Sequence, residues 1–511
     1  MVDYIYFYLV LIFLSYIWCS MRRKTASIQR LPSGPWSLPI IGNVHQLNAG
    51  HQHHTMAQWG GVYGDLVYAR IFRTPVLVLN SVKVARELLD RKSSATSGRP
   101  RMMFLTEMLG WDSGIAFMQY GKRWKRHRTW ICAAFESKES SSKYQPLQRR
   151  EARNLLLNII QAPTLFERHL SRFTAAIIME IVYGHTMTSA DDVFVKRADR
   201  AIQGTVDAGQ IPATLIDLFP FLWSLPSWLP GMGFKARALE LRKLIQETLD
   251  APYVIATEAM STGIAKSSFV ADIIHDHFPH GMTEVDERDI KGAATAIYIA
   301  AAETTTTVLS TFILAMVLYP EIYKKAQDEI DRVVGDSRLP DFDDRPCLPY
   351  LNCIVKELYR WNSPAPLGVA HATTRKESYA GYDIPGDTIL IPNIWAMTQN
   401  TIVYRQPDQF CPERFLAVQD ADSDDHDPRK YIFGFGRRIC PGRHFADSEI
   451  WLVVACIAAT FDITKARDIN GSEITPEVAF TQSFTSRPKA YACQIHPRTT
   501  RATLVAQLHL S

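Results

Sequence analysis

None of the eight cysteines forms a C-x-x-C pair in this 511-residue chain, so neither a zinc ribbon nor a dithiol redox motif is indicated. Their scatter gives no disulfide framework of the kind that staples small secreted domains, and the thiols are expected to be reduced. A G-x-G-x-x-G stretch for binding flavin or NADPH is also missing. Charge of one sign is nearly balanced, with 56 Lys+Arg against 52 Asp+Glu and a net +4, which argues against nucleic acid as a partner. After residue 50 no Pro/Gly/Ser-rich linker, charge block, repeat or low-complexity tract divides the chain. Length alone suggests about three domains, but without a linker residues 46–511 are expected to form one catalytic domain. A hydrophobic content of 47% with 21% charged residues is that of an ordinary globular protein with a sizeable core.

One long apolar run is present, at the amino terminus. Residues 4–19 are apolar and aromatic apart from Ser15, and Arg22, Arg23 and Lys24 follow. The run is short for a bilayer, which takes about 20 apolar residues with about 17 as the lower limit. The basic flank predicts that the rest of the chain stays in the cytosol. A cleaved signal peptide would want positive charge before the run and a small residue after it, whereas Asp3 and Trp18 stand there. Residues 1–24 are therefore expected to be a retained, single-pass anchor in the endoplasmic reticulum membrane. Residues 25–45, rich in proline (Pro32, Pro35, Pro39), read as a stiff, extended hinge. On this topology the sequon Asn470-Gly471-Ser472 never meets the glycosylation machinery.

Residues 66–71 and 76–79 read as strands around Arg73-Thr74-Pro75, and Ser81 as the cap of a helix through Asp90. From residue 120 onward helical periodicity dominates, with short β-like pieces near residues 382–391 and at the carboxyl end. Thr283 and Asp286 have capping-box spacing before a helix that runs to Tyr319-Pro320. The fold class expected is mainly α with a small β portion.

Near the carboxyl end the chain reads Phe433-Gly434-Phe435-Gly436-Arg437-Arg438-Ile439-Cys440-Pro441-Gly442, ahead of a helix-like run at residues 445–461. Glycines let backbone approach a bulky group closely. A helix N-terminus and neighbouring arginines favour a thiolate, a soft ligand for iron. In the middle of the long helix, Ala300-Ala301-Ala302-Glu303-Thr304-Thr305 sets an acid beside a threonine in apolar surroundings. Glu357 and Arg360 form an i, i+3 pair of a kind usually worth only ~0.2–0.5 kcal/mol on a surface, and Pro412-Glu413-Arg414-Phe415 follows it. Trp124 and Arg128 share one helical face.

The pattern F-x-x-G-x-R-x-C-x-G closely resembles the haem-binding loop of the cytochrome P450 superfamily. The resemblance extends over residues 32–498 and implies the P450 fold and haem b (iron protoporphyrin IX) bound through Cys440. The central helix resembles the oxygen-activating A-G-x-D/E-T-T motif, in which Glu303 and Thr304 would manage protons. Ala301 replaces the usual glycine, which could narrow the groove. Glu357, Arg360 and Arg414 resemble the E-x-x-R and P-E-R-F set that locks the core behind haem. Trp124, Arg128, Arg438 and His371 fall at positions implied to hold the propionates, and Phe433 belongs to the cofactor loop.

By the same resemblance, Lys122, Arg123, Lys125, Arg126, Arg429, Lys430 and Arg437 would face an acidic electron donor. The missing nucleotide motif implies that donor to be a separate NADPH–cytochrome P450 reductase. Substrate would meet residues 102–117, Ile297 and Ala300, residues 367–369 and residues 480–484. Residues 211–234, with Trp223 and Trp228, either dip into the membrane or pack internally. The reaction implied is insertion of oxygen from O2 into a lipophilic small molecule. The placement within the superfamily is the membrane-anchored fungal secondary-metabolism kind, typified by O-methylsterigmatocystin oxidoreductase. A haem-thiolate isomerase or dehydratase, or a haem carrier without activity, would need neither Glu303 nor Thr304.

Overall fold

Leu66–Ile71 (β1) and Thr74–Leu79 (β2) make an antiparallel hairpin whose register runs from Leu66 opposite Leu79 to Ile71 opposite Thr74. The turn is thus Phe72 and Arg73, beginning one residue before the expected Arg73-Thr74-Pro75, with Phe72 in the left-handed region at φ 52°. Pro75 lies inside β2, opposite Arg70, in a position whose N–H would point away from β1. Pairing of β2 with the next strand begins only at Val76, so the missing donor breaks no ladder bond. The computed structural model describes residues 30–499 except 49, 188–191, 209–215, 218, 230–231, 417–424 and 482–483. The expected anchor and the first residues of the hinge lie outside the described residues.

The described chain divides into two compact units. The smaller comprises the residues up to Pro100 together with Ala370–Asn393. It carries helix α1 (Gln52–Tyr63), the hairpin, and the short strands β3 (His371–Ala372), β4 (Glu377–Tyr379), β5 (Tyr382–Ile384) and β6 (Ile389–Pro392). Its main sheet has the order β1-β2-β6-β3, with β2 and β6 parallel. Ser81 caps the following helix by accepting from the Val84 N–H, and that helix widens over Arg86–Arg91. In the hinge, Gly34 lies so close to β1 that an added Cβ would stand 1.7 Å from the Tyr68 carbonyl oxygen.

The larger unit is helical. Its long helices are α2 (Lys122–Phe135), α3 (Gln145–Gln161), α4 (Phe166–Tyr183), α5 (Val193–Ala208), α6 (Phe234–Ser261), α7 (Phe269–His277), α8 (Glu284–Leu318), α9 (Pro320–Val333), α10 (Pro349–Trp361) and α11 (Arg443–Thr460). A small antiparallel sheet of β7 (Phe461–Arg467), β8 (Glu473–Ile474) and β9 (Cys493–Pro497) closes it, in the order β8-β7-β9.

Helix α8 organises this unit. Thr283 and Asp286 form the capping box that the sequence announced, each side chain bonded to the other's backbone N–H. The helix passes between α4 and α11, and Thr305–Val317 is buried throughout. Among the described residues it is the one helix long and apolar enough to cross a membrane, yet 72% of its most apolar window is buried inside the protein. Three of its threonines are tied down: Thr306 meets Thr174 of α4 at 2.9 Å, Thr295 meets Tyr183 at 3.2 Å, and Thr311 donates to the Thr307 carbonyl. The other end is fixed by a close approach, since a Cβ on Gly292 would fall 2.3 Å from the Ser113 Cβ.

Candidate active site

Cys440 sits half-buried between a short 3-10 turn and α11. Its N–H donates to the Phe433 carbonyl at 2.8 Å, closing the loop on itself. Gly434 and Gly436 make this closure possible with φ of 84° and 54°, a region that L side chains adopt at a cost. Phe433 packs edge-on against Tyr359 of α10, with ring centroids 5.7 Å apart. Arg443 donates to the Cys440 carbonyl at 3.2 Å and pairs with Glu136 at 3.3 Å.

Burial pushes the Cys440 thiol up, while the Gly442 N–H, Arg128 and Arg443 pull it down. Desolvation is the largest of these effects, so the thiol lies above its ordinary value. The arginines act in the expected direction but are too few to offset desolvation. A metal held by the Cys440 sulfur would favour the thiolate, because a coordinating thiol is deprotonated. Arg128 and Arg443, not Arg437 and Arg438, are the cations that act on the sulfur.

Above this loop stands a basic, aromatic cradle. Trp124 is buried on α2, and the Arg438 guanidinium lies 4.7 Å over its ring. Arg438 also donates to the carbonyls of Ile115 and Met118, at 3.2 and 2.9 Å. Arg128, one turn along α2, donates to the Ile439 carbonyl. Burial first, then the Arg128 charge, lowers Arg438 to about 10. Two guanidiniums held within range of mutual repulsion in a half-buried site suit a dianionic ligand, which would offset both penalties. Haem, with two propionates and an iron that takes a thiolate, fits this donor set.

His371 lies in the smaller unit. It is buried on β3, with Nδ1 2.9 Å from the Thr96 carbonyl oxygen.

In the middle of α8 the side chains at Ala296, Ile299, Ala300, Glu303 and Thr304 share one helical face and keep some exposure, ahead of the buried run Thr305–Val317. Thr304 donates to the Ala300 carbonyl at 2.7 Å, leaving its lone pairs to accept. Glu303 accepts from the Thr485 hydroxyl at 3.0 Å. Thr485 was not among the expected site residues; nothing in its immediate sequence signals it. The Ala301 methyl packs partly buried against the main core.

Two expectations about the lining need correction. Ile297 is buried in the main core, and it is Ile299 and Ala300 that line the accessible face. Of residues 102–117, Met103, Phe104, Met108, Leu109 and Trp111 are buried in a second core with α5 and α6, while Leu105 and Phe117 pack at its edge. Apolar composition marked both sets equally, and only the helical phase separates wall from core. Leu367 and Val369 are half-exposed, Phe480 packs on Trp361 and Phe484 is exposed; residues 482–483 lie outside the described residues. In the 211–234 segment Phe221 and Trp228 are 63% and 78% exposed, whereas Trp223 is half-buried under Lys235.

The expected basic face is narrower than its sequence. Arg123 and Arg126 turn inward to Asp289, a fully buried carboxylate of α8, and Arg126 also pairs with Asp286. His127 is buried beside the same carboxylate at 3.3 Å. Burial and the two arginines hold its pKa down to about 3, so it is neutral. Arg429 is spent on Asp427, at 2.6 Å. Lys122, Lys125, Lys430 and Arg437 remain exposed. A run of like charges in sequence hid buried partners more than 150 positions away.

Glu357 and Arg360 are both fully buried and bonded through two contacts of 2.7 Å. Arg414 adds a contact to Glu357 at 3.2 Å, and the Cys411 N–H a further one at 2.8 Å. The remaining Arg360 donors reach the carbonyls of Pro407, Thr398 and Gln409. This is a buried lock on the segment that leads to the cysteine loop.

Comparison with known proteins agrees with this geometry. The cytochrome P450 family model matches residues 32–491. Cytochrome P450 monooxygenase 176 of Postia placenta is 42% identical over 480 residues, covering 94% of this chain and 92% of the relative. Cytochrome P450 monooxygenase 136 of the same fungus is 41% identical, covering 97% and 93%. Cytochrome P450 monooxygenase claR of Ampulloclitocybe clavipes is 36% identical, covering 94% and 88%. The chain belongs to the cytochrome P450 family, as a monooxygenase of the haem-thiolate class.

Proposed function

We propose that this monooxygenase oxidises a lipophilic small molecule of fungal secondary metabolism, a terpenoid or polyketide, with electrons delivered from NADPH by a separate cytochrome P450 reductase. The observation that carries the proposal is the accessible face of α8, where Ala296, Ile299 and Ala300 offer apolar contact beside Glu303 and Thr304. Such a wall rewards burial of hydrocarbon at about 25 cal/mol per Å². Fungal relatives support the setting.

Cys440 would hold the iron through its sulfur, Trp124, Arg128 and Arg438 would hold the propionates, and Phe433 would complete the cofactor loop. Haem, when bound, activates O2 and supplies the oxidant. The chain's own residues bind, orient and move protons. Thr304 accepts a hydrogen bond from a protonated group in the groove, and by releasing the Ala300 carbonyl it can donate one. Glu303, parked on Thr485, can leave that hydroxyl and carry a proton to the groove on its carboxylate. The exposed Lys122, Lys125, Lys430 and Arg437 would steer an acidic donor protein.

Thr304→Val keeps the side-chain shape and removes the hydroxyl. With reductase and NADPH supplied, product formed per NADPH is expected to fall by about tenfold, with hydrogen peroxide rising in its place. A positioned proton-transfer group contributes about 10²–10⁴-fold in general. Haem content should not change. An unchanged ratio would assign the proton to another group, and product formed without NADPH or reductase would overturn the proposed electron route.

The proposal includes the endoplasmic reticulum anchor at residues 1–24, with the catalytic portion cytosolic. Its support is the apolar run 4–19 with its basic flank, and exposed Phe221 and Trp228 offer a second apolar contact. Full-length protein is expected in the microsomal pellet, and deletion of residues 1–24 should loosen it without loss of haem. Full-length protein free in the cytosol would contradict the anchor.

A further inference from the structure

His51, His53 and His54 bring three imidazoles together at the start of α1, in the smaller unit. One nitrogen from each ring lies within 4.8 Å of the others. The His51 and His54 rings stack with centroids 5.1 Å apart, and the His53 ring meets His54 edge-on at 4.4 Å. All three are half-buried, so an ion can reach them.

The backbone beneath is held firmly. His54 and Thr55 donate their N–H groups to the His51 carbonyl, at 3.1 and 3.2 Å. Asn393 donates to the His53 carbonyl at 3.0 Å, and is itself bonded to Asn80, which donates to the Met56 carbonyl. Two buried asparagines thus fix the backbone at the start of α1.

We propose that His51, His53 and His54 form a binding site for one Zn²⁺ ion, separate from the haem-binding loop. Zinc–imidazole bonds of about 2.0–2.1 Å put ligand nitrogens roughly 3.3 Å apart in a tetrahedral site. That is a modest contraction from the observed spacing. Three nitrogens and no carboxylate exclude Ca²⁺ and Mg²⁺, which take oxygen ligands. The positive end of the α1 dipole opposes any cation here, so the ion must be held by coordinate bonds, which again selects a metal with affinity for imidazole. The fourth position is left to water. The site would clip the chain at His51 to the first turn of α1.

The test is calorimetric titration of Zn²⁺ into haem-loaded, full-length protein that carries no polyhistidine tag and has been freed of metal with chelator. One saturable Zn²⁺ per chain is expected, together with a rise in thermal midpoint. His53→Ala should weaken binding by at least roughly a hundredfold, since even an outer-sphere partner of a metal site is worth 10–100-fold. His51→Gln, outside the helix, provides a second variant that leaves α1 intact and should show the same loss. Both variants should retain the haem spectrum of the parent. The absence of one-to-one binding in the parent, or undiminished binding in His51→Gln or His53→Ala, would overturn the site.

Discussion

Glu357→Ala and Arg360→Ala should each yield protein that fails to accumulate in a folded, haem-loaded form. Both side chains are fully buried, and each meets the other through two short bonds. Glu357 also receives Arg414 and the Cys411 N–H, while Arg360 serves three backbone carbonyls. Deleting one partner leaves the other charge buried without its complement, at a cost of ~3–5 kcal/mol. Whole domains have about 5–15 kcal/mol of stability, so the loss is decisive. Glu357→Gln, which retains acceptor and shape, should be milder. Haem-to-protein ratio and thermal midpoint are the measurements. Normal values for both alanine variants would show that the network contributes little.

Cys440→Ala is expected to abolish oxygenation while sparing the fold. The loop is held by backbone groups: the Cys440 N–H on the Phe433 carbonyl, and Arg443 on the Cys440 carbonyl. The sulfur itself takes only the Gly442 N–H, so its loss leaves the other two bonds in place. The loop should close as before around a methyl group, and α11 should pack unchanged. What disappears is the only proposed protein ligand to iron. Haem should then be held weakly, through the arginine and tryptophan cradle alone, and product formation should drop below detection. Retained turnover would require another ligand.

The fold was legible where local chemistry is self-sufficient. The Thr283/Asp286 cap, the length of α8 and the glycine-rich turn before α11 follow from short-range rules, and all were readable. Proline misled at Pro75, because a turn signal and an edge position tolerant of a missing N–H look alike in sequence. The site was legible in outline because its pieces are short motifs. What stayed hidden depends on distance and burial. Spacing alone makes Glu357 and Arg360 an ordinary surface pair; only the resemblance set them in the core, where the structure buries both. Arg123 and Arg126 read as a docking face until Asp289 and Asp286 appear beside them. The state of the Cys440 thiol turns on desolvation, which no motif records. Thr485, which holds Glu303, lies one residue beyond the stretch 480–484 that the resemblance marked, and nothing in the sequence ties its hydroxyl to Glu303.

The ferrous–carbon monoxide spectrum of the parent protein beside Cys440→Ala tests the thiolate assignment most directly. Electron density pushed from a thiolate onto iron shifts the Soret band to long wavelength. The parent should show that shifted band, and the variant should show little bound haem, with no shifted band in what remains. A shifted band that persists in Cys440→Ala would contradict the assignment of Cys440 and the site built around it.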